Sequence, residues 1–235
     1  MHSFFVAGST GYTGRGVVRE LRSRGIRTAA HVRPGSSSAA ELVPLFESLG
    51  AEVDRSPWEK DAISKALAAF RPSHVMALLG TTKARGREAA RKGVIDTYET
   101  VDRDLSLLLL EACTKLPEKP KFVFLSSMGA ESPRGNRYLR ARHDVEQALI
   151  GSSLPWVIAR PAFITGPDRP EPRPMEQIAG KLTDGLLRGA GVLGMAGMER
   201  KYRSMDAAEL AAGLVRWALA HETQATVTPM ELREK

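Results

Sequence analysis

The sequence predicts a doubly wound α/β fold, a mostly parallel sheet with helices on both faces and a small C-terminal appendage on the substrate side. Three observations predict it. Short β-branched or aliphatic runs alternate with stretches of helical period from Ser3 to Ala159. The run from His74 to Leu79 is apolar almost throughout, as a strand covered on both faces requires. A glycine triplet separates the first such run from the first helical stretch.

Taken in order, Ser3–Ala7 predicts a strand, and 14–23 predicts a helix with Val17, Val18 and Leu21 on its inner face. Thr28–Val32 predicts the second strand, 41–49 a helix and 51–54 a short third strand. A helix over 61–70 is closed by Pro72, which cannot continue it. The strand over 74–79 follows. A long helix over 96–114, a strand over 121–125, a helix over 138–150 and a strand over 156–159 complete the alternation. Beyond Thr165 the pattern loosens: Pro167, Pro170, Pro172 and Pro174 punctuate one loop, and glycines recur from Gly185 to Gly197. The whole of 1–235 reads as one domain, with 165–205 as a substrate-side loop and helix region and 206–221 as a docking helix. Trp156 and Trp217 lie in apolar strand and helix patterns, which assigns them to packing.

Composition narrows the function classes. Cys113 is the single cysteine, which excludes an intrachain disulfide and a multi-cysteine zinc site. His2, His31, His74, His143 and His221 show no metal-ligand spacing, so no metal is expected. The start Met1-His2-Ser3-Phe4-Phe5 carries no basic n-region. The longest purely aliphatic run, Leu107–Leu110, is far short of the roughly 18 residues that a membrane span needs. A soluble, cytoplasmic protein without membrane contact is the expectation. The formal net charge of +7 suits an anionic partner. No helix-turn-helix, zinc-finger or RNA-recognition signature accompanies it, so nucleic acid is not expected.

The turn Gly8-Ser9-Thr10-Gly11-Tyr12-Thr13-Gly14 lies between the first strand and the first helix. One glycine there lets the strand turn sharply, a second admits a pyrophosphate to the backbone, and a third lets the helix pack close to the sheet. The helix N-terminus adds unpaired N–H groups and a positive dipole end. This is the phosphate cradle of a Rossmann dinucleotide site, and its place after a strand and before a helix is the confirming context. An NAD reader places Asp or Glu at the end of the second strand. Here that position reads His31-Val32-Arg33-Pro34, followed by Gly35-Ser36-Ser37-Ser38. Arg33 suits a bidentate grip on a 2′-phosphate, and Arg15 in the first helical turn adds charge. NADP is therefore favoured over NAD. The basic residues cluster in 15–33, 83–92, 134–142 and 169–173, mostly beyond predicted strand carboxyl ends, as an edge that gathers a polyanionic cofactor would have them.

Several segments, in this order and at these intervals, resemble an atypical, extended-type short-chain dehydrogenase/reductase over nearly the whole chain. They are Gly8–Gly14 with Gly-x-x-Gly-x-x-Gly spacing, Leu78-Leu79-Gly80-Thr81-Thr82, Val101-Asp102-Arg103-Asp104, Phe124-Leu125-Ser126-Ser127, Tyr138 with Arg142, and Arg160-Pro161. The resemblance extends to the Tat-interacting, NADPH-binding reductase-like subfamily. It implies that Gly80 and Thr81 line the cofactor's adenosine side, that the Arg160-Pro161 backbone meets the nicotinamide carboxamide, and that Leu79, Ser126 and Phe163 also contact the cofactor. It implies further that Ser127 (Ser126 as the alternate) holds a substrate oxygen and that Tyr138 acts as acid/base. A phenol, with an ordinary pKa of about 10, needs a nearby positive charge for that work. The family supplies it with lysine four residues on; here position 142 is arginine, which keeps the charge but cannot give up a proton. The family's Gly-Asp-Leu after the third strand, whose acid meets the adenine, is replaced by Ser56-Pro57-Trp58.

The resulting expectation is an NADP-dependent oxidoreductase acting on a carbonyl or alcohol, using Ser127, Tyr138 and Arg142. The alternative is an NADP(H)-binding regulator without efficient chemistry, which the arginine favours. The substrate is expected to be a small molecule, anionic or amphipathic, met by loops over 83–92, 132–137, 163–173 and 189–197. A homodimer through the 96–114 helix is a habit of the family.

Overall fold

The computed structural model describes residues 1–91, 93–162, 164–165 and 204–234. Among these residues seven strands form one sheet in the order β3-β2-β1-β4-β5-β6-β7, and every adjacent pair is parallel. The strands are β1 (Ser3–Ala7), β2 (Arg27–His31), β3 (Glu52–Asp54), β4 (His74–Ala77), β5 (Lys121–Leu125), β6 (Trp156–Ala159) and β7 (Gln224–Val227). The helices are α1 (Tyr12–Ser23), α2 (Ala39–Ser48), α3 (Lys60–Phe70), α4 (Lys83–Arg91), α5 (Leu105–Thr114), α6 (Arg137–Ile150) and α7 (Ala207–Leu219). Strand order reverses between β1 and β4, so the chain departs to opposite sides there and leaves a crevice at the strand carboxyl ends.

The pleat explains the two-layered core. Phe4 and Val6 point into the cluster under α1, α2 and α7, while Phe5 and Ala7 point into the cluster under α3, α5 and α6. All five residues of β1 are buried, because helices cover both faces. A fully buried side chain of this kind stabilises by about 1.5–3 kcal/mol. α3 ends at Arg71, held left-handed at φ 53° with its N–H bonded to Leu67 O, and Pro72 follows. α7 lies on α1 at Gly16, where an added Cβ would come within 3.0 Å of Ala207 O.

Among the described residues the sheet is parallel throughout, as the doubly wound fold read from the sequence requires, and the structure corrects that reading in three places. Residues 83–92 were expected as a loop, yet Lys83–Arg91 is helical: its charged composition hides the pattern, and its short alanine-containing run favours helix. The 96–114 helix opens with a π-helical turn, Tyr98–Asp104, capped by Thr97 through Thr100, before α5 begins. β7 was missed because, at the sheet edge, only Val227 of its four residues is buried. The expected region 165–205 lies almost wholly outside the described residues. Among the described residues, no helix is long and apolar enough to cross a membrane.

The stem of β4 carries a pH signature. His74 is buried, stacks on Phe4 at 4.3 Å and bonds Ser73 Oγ through Nδ1 at 2.8 Å. Burial, aided by the positive charges of His2 and Lys121, pushes its imidazolium down to about 4 from 6.5. The unfolded chain therefore takes up the proton below pH 6.5, whereas the fold resists it until about pH 4. Stability is full above pH 6.5 and falls as the pH drops to 4, by about 2–3 kcal/mol. Urea unfolding across that window should show the fall, and His74→Gln should flatten it; an unchanged slope would assign the loss to other groups.

Candidate active site

The glycine turn is built as its spacing implies. Gly8 holds φ at +84°, and a Cβ there would lie 2.5 Å from Leu78 O. A Cβ on Gly14 would lie 2.1 Å from Gly8 O, so α1 can begin this close to β1 only without one. Gly11 N–H donates to Gly8 O at 3.0 Å and Gly11 caps α1 without any side-chain bond. No acidic residue stands in the first turn of α1, leaving its N–H groups and positive dipole end for an anion. These features fit a dinucleotide pyrophosphate. Ser9, by contrast, is wholly buried, and its hydroxyl donates to His31 O at 2.7 Å, so its side chain ties the turn to β2. Tyr12 Oη donates to Thr165 O at 3.3 Å. Thr10 and Arg15 are half-buried, and Thr13 is buried.

At the end of β2, Arg33 is exposed and forms no ion pair among the described residues. Its neighbour His31 is 3% exposed, and Nε2 lies 2.9 Å from Ser56 O. Burial lowers its pKa below the usual imidazole value, against the opposing pull of that carbonyl and Asp54.

Beyond β4, Gly80 is exposed and Thr81 N–H donates to Asp102 Oδ2 at 2.8 Å. Thr81 Oγ1 is buried without a partner, an uncommon state for a hydroxyl. Asp102, presented by the π-helical turn, has no solvent exposure. Its Oδ1 receives Arg142 Nη2 at 2.6 Å. Arg142 also donates to Leu79 O at 2.8 Å and Leu125 O at 2.6 Å, and it is only 4% exposed. Burial disfavours its charge, yet the Tyr138 hydroxyl and Asp102 carboxylate beside it outweigh that and raise its pKa above normal. Both terminal nitrogens of Arg142 thus donate to protein oxygens. Its guanidinium carbon remains 5.3 Å from the centre of the Tyr138 ring.

Tyr138 lies in the first turn of α6, whose N-cap Asn136 accepts from Leu139 N–H at 3.0 Å. It meets Tyr98 edge to face at 5.3 Å, and both line a cleft of about 470 Å³ with Thr81, Thr82, Glu99 and Arg137. Glu99 and Arg137 close a bidentate ion pair at 2.9 Å, and this hydrogen bonding holds the Glu99 carboxyl at about 2. Ser127, half-buried just past β5, donates to Met128 O at 3.3 Å and stands outside that lining. Ser126 is buried and donates to Glu146 Oε1 at 2.5 Å; Glu146 in turn holds Arg160. Pro161 O accepts from Met128 N–H at 3.0 Å, joining the ends of β5 and β6. Phe163 lies outside the described residues.

The structure thus brings Leu79, Gly80, Tyr138 and Arg142 together and puts Arg33 at the far end of the same sheet edge. It commits the hydroxyls of Ser9 and Ser126 elsewhere. Sequence reasoning missed Glu99 and the pairing of Asp102, while Arg137 falls in the 132–137 segment expected to meet the substrate. An acid at 102 and an arginine at 142 were each visible, but only the fold shows that they meet.

A chloroplastic protein, TIC 62 of Oryza sativa subsp. japonica, is 28% identical over 180 residues, covering 71% of this chain and 35% of its own length. The chain thus spans about a third of that relative. A Bacillus halodurans structure assigned as an NAD-dependent epimerase/dehydratase aligns at TM-score 0.67 and 18% identity, covering 99% of both chains. UDP-glucose 4-epimerase of Thermus thermophilus, in complex with NAD, aligns at 0.65 and 19%, covering 98% of this chain and 81% of that one. At such identities these structures share the fold. The NAD(P)H-binding family matches residues 8–186, taking in the glycine turn, both flanks of the crevice and the Tyr138 helix, and the chain belongs to that family.

Proposed function

We propose that the protein is an NADP(H)-dependent oxidoreductase acting on a carbonyl or alcohol group of a small molecule. The observation that carries the reading is the placement of Tyr138, in the wall of an open cleft and beside the buried Arg142 charge, on the sheet edge that begins at the phosphate-binding turn. The bound dinucleotide would supply or accept the hydride. Gly8–Gly14 would hold its pyrophosphate on the N-terminus of α1. Arg33 would grip the 2′-phosphate, with Arg15 as a second positive charge. Ser127 would orient the substrate oxygen, and Tyr138 Oη would give or take the proton there. Arg142 would act as a fixed charge beside the phenol; with its terminal nitrogens bonded to Leu79, Leu125 and Asp102, it is neither a ribose ligand nor a proton carrier. A cytoplasmic setting and a small-molecule partner complete the reading.

That commitment of Arg142 also favours a second reading, an NADP(H)-binding regulator with little turnover. Two measurements separate the possibilities. Calorimetry should show NADPH binding at least tenfold tighter than NADH, and Arg33→Ala should remove most of the difference through loss of a charge-assisted phosphate contact. Equal affinities in the unmodified protein would remove the NADP assignment.

Across a panel of carbonyl substrates, Tyr138→Phe should lower turnover by about 10²-fold or more while leaving NADPH affinity nearly unchanged. Absence of turnover in the unmodified protein, combined with a gain of activity in Arg142→Lys, would establish the regulator reading instead.

A further inference from the structure

The adenosine end of the crevice contains an aromatic side chain that the reading above leaves unused. Trp58 follows β3 in Ser56-Pro57-Trp58 and is half-buried, partly packed on the core beneath α3. Its ring meets His31 edge to face at 4.6 Å, and His31 is backed by Phe5 at 5.9 Å. His31 Nε2 fixes the same loop through Ser56 O at 2.9 Å. From the other side, Ser9 of the phosphate-binding turn donates to His31 O at 2.7 Å. The indole is therefore two contacts from the turn, on the carboxyl edge of β2 and β3, and exposed Arg33 follows His31 by two residues on that edge. The nearby carboxylate is drawn into its own loop: Asp54 accepts from Ser56 Oγ at 2.8 Å and from Ser56 N–H at 3.3 Å.

We infer that Trp58 is the surface on which the adenine of the dinucleotide stacks, so that an aromatic face does here what a carboxylate hydrogen bond does elsewhere. Stacking reads the π-face of the base, so this end binds adenine without a side-chain hydrogen bond to its amino group. Arg33 on the same edge pairs with the 2′-phosphate, and the two together make an adenosine 2′-phosphate subsite. The inference rests on the cofactor reading above.

Adenosine 2′,5′-bisphosphate, which lacks nicotinamide, is the probe. It should quench tryptophan emission in the unmodified protein, and Trp58→Phe should abolish that quenching because Trp156 and Trp217 lie in packed positions. By calorimetry Trp58→Ala should weaken the probe about tenfold or more, and Trp58→Phe should bind within about threefold of the unmodified protein. Quenching that survives Trp58→Phe overturns the inference, as does unchanged affinity in a folded Trp58→Ala. If Trp58→Ala does not fold, the emission result with Trp58→Phe decides alone. Failure of the unmodified protein to bind either the probe or NADPH would instead overturn the cofactor reading itself, whereas NADPH binding that ignores position 58 overturns only the role of Trp58.

Discussion

The buried pair between Asp102 and Arg142 is the constraint around which the crevice is arranged. Its four parts come from separate stretches of chain: the segment after β4 through Leu79 O, β5 through Leu125 O, the π-helical turn through Asp102, and α6 through Arg142. Such a pair adds little net stability over apolar packing, since two charges must lose their water. Its effect is on geometry. With either charge removed, the other is left buried and unpaired, a loss of about 3–5 kcal/mol, so the four parts meet in one arrangement or not well at all. Asp102 also fixes Thr81 N–H, and the loop past β4 is thereby bound to the same point as the Tyr138 helix. The π-helical turn is the local irregularity that presents the carboxylate.

How much of this the sequence carries depends on the kind of signal. The strands of the central sheet are legible because burial on both faces forces continuous apolar runs, and β1, β5 and β6 fall on the residues expected. The glycine turn is legible because only glycine tolerates the close approach at Gly8 and Gly14. Charge-rich α4 and edge strand β7 are not, since the apolar residues of α4 are few and only Val227 of β7 is buried. The pairing of Asp102 with Arg142 is illegible for another reason: 40 residues separate them, and only the three-dimensional path of β5 and α6 brings them to 2.6 Å.

The basic excess is likewise redistributed by the fold. Arg22 donates to Leu49 O and Ile26 O, Arg27 pairs with Glu52, Arg137 with Glu99, and Arg142 with Asp102. These side chains hold elements together and contribute less field at the crevice than their number suggests. Arg33 keeps its exposed charge at the end of β2, where burial lowers the pKa of His31. The anionic attraction of the edge therefore rests on a few positions and on the uncapped N-terminus of α1, rather than on the whole net charge.

The same accounting bears on the chemistry at Tyr138. A lysine at position 142 would be a mobile ammonium able to pass a proton onward. The guanidinium is planar, always charged and bonded on both sides, so it stabilises negative charge nearby without exchanging protons. Under the proposed reading, the proton that Tyr138 gives up in each reduction must return from elsewhere. Tyr138 is half-buried and lines the open cleft, with Thr81 Oγ1 buried and unpartnered in the same wall. Water entering that cleft is the remaining route. Closure of the cleft by substrate would then slow proton return while leaving the phenol's electrostatic partner in place, which is the physical cost of exchanging a mobile charge for a fixed one.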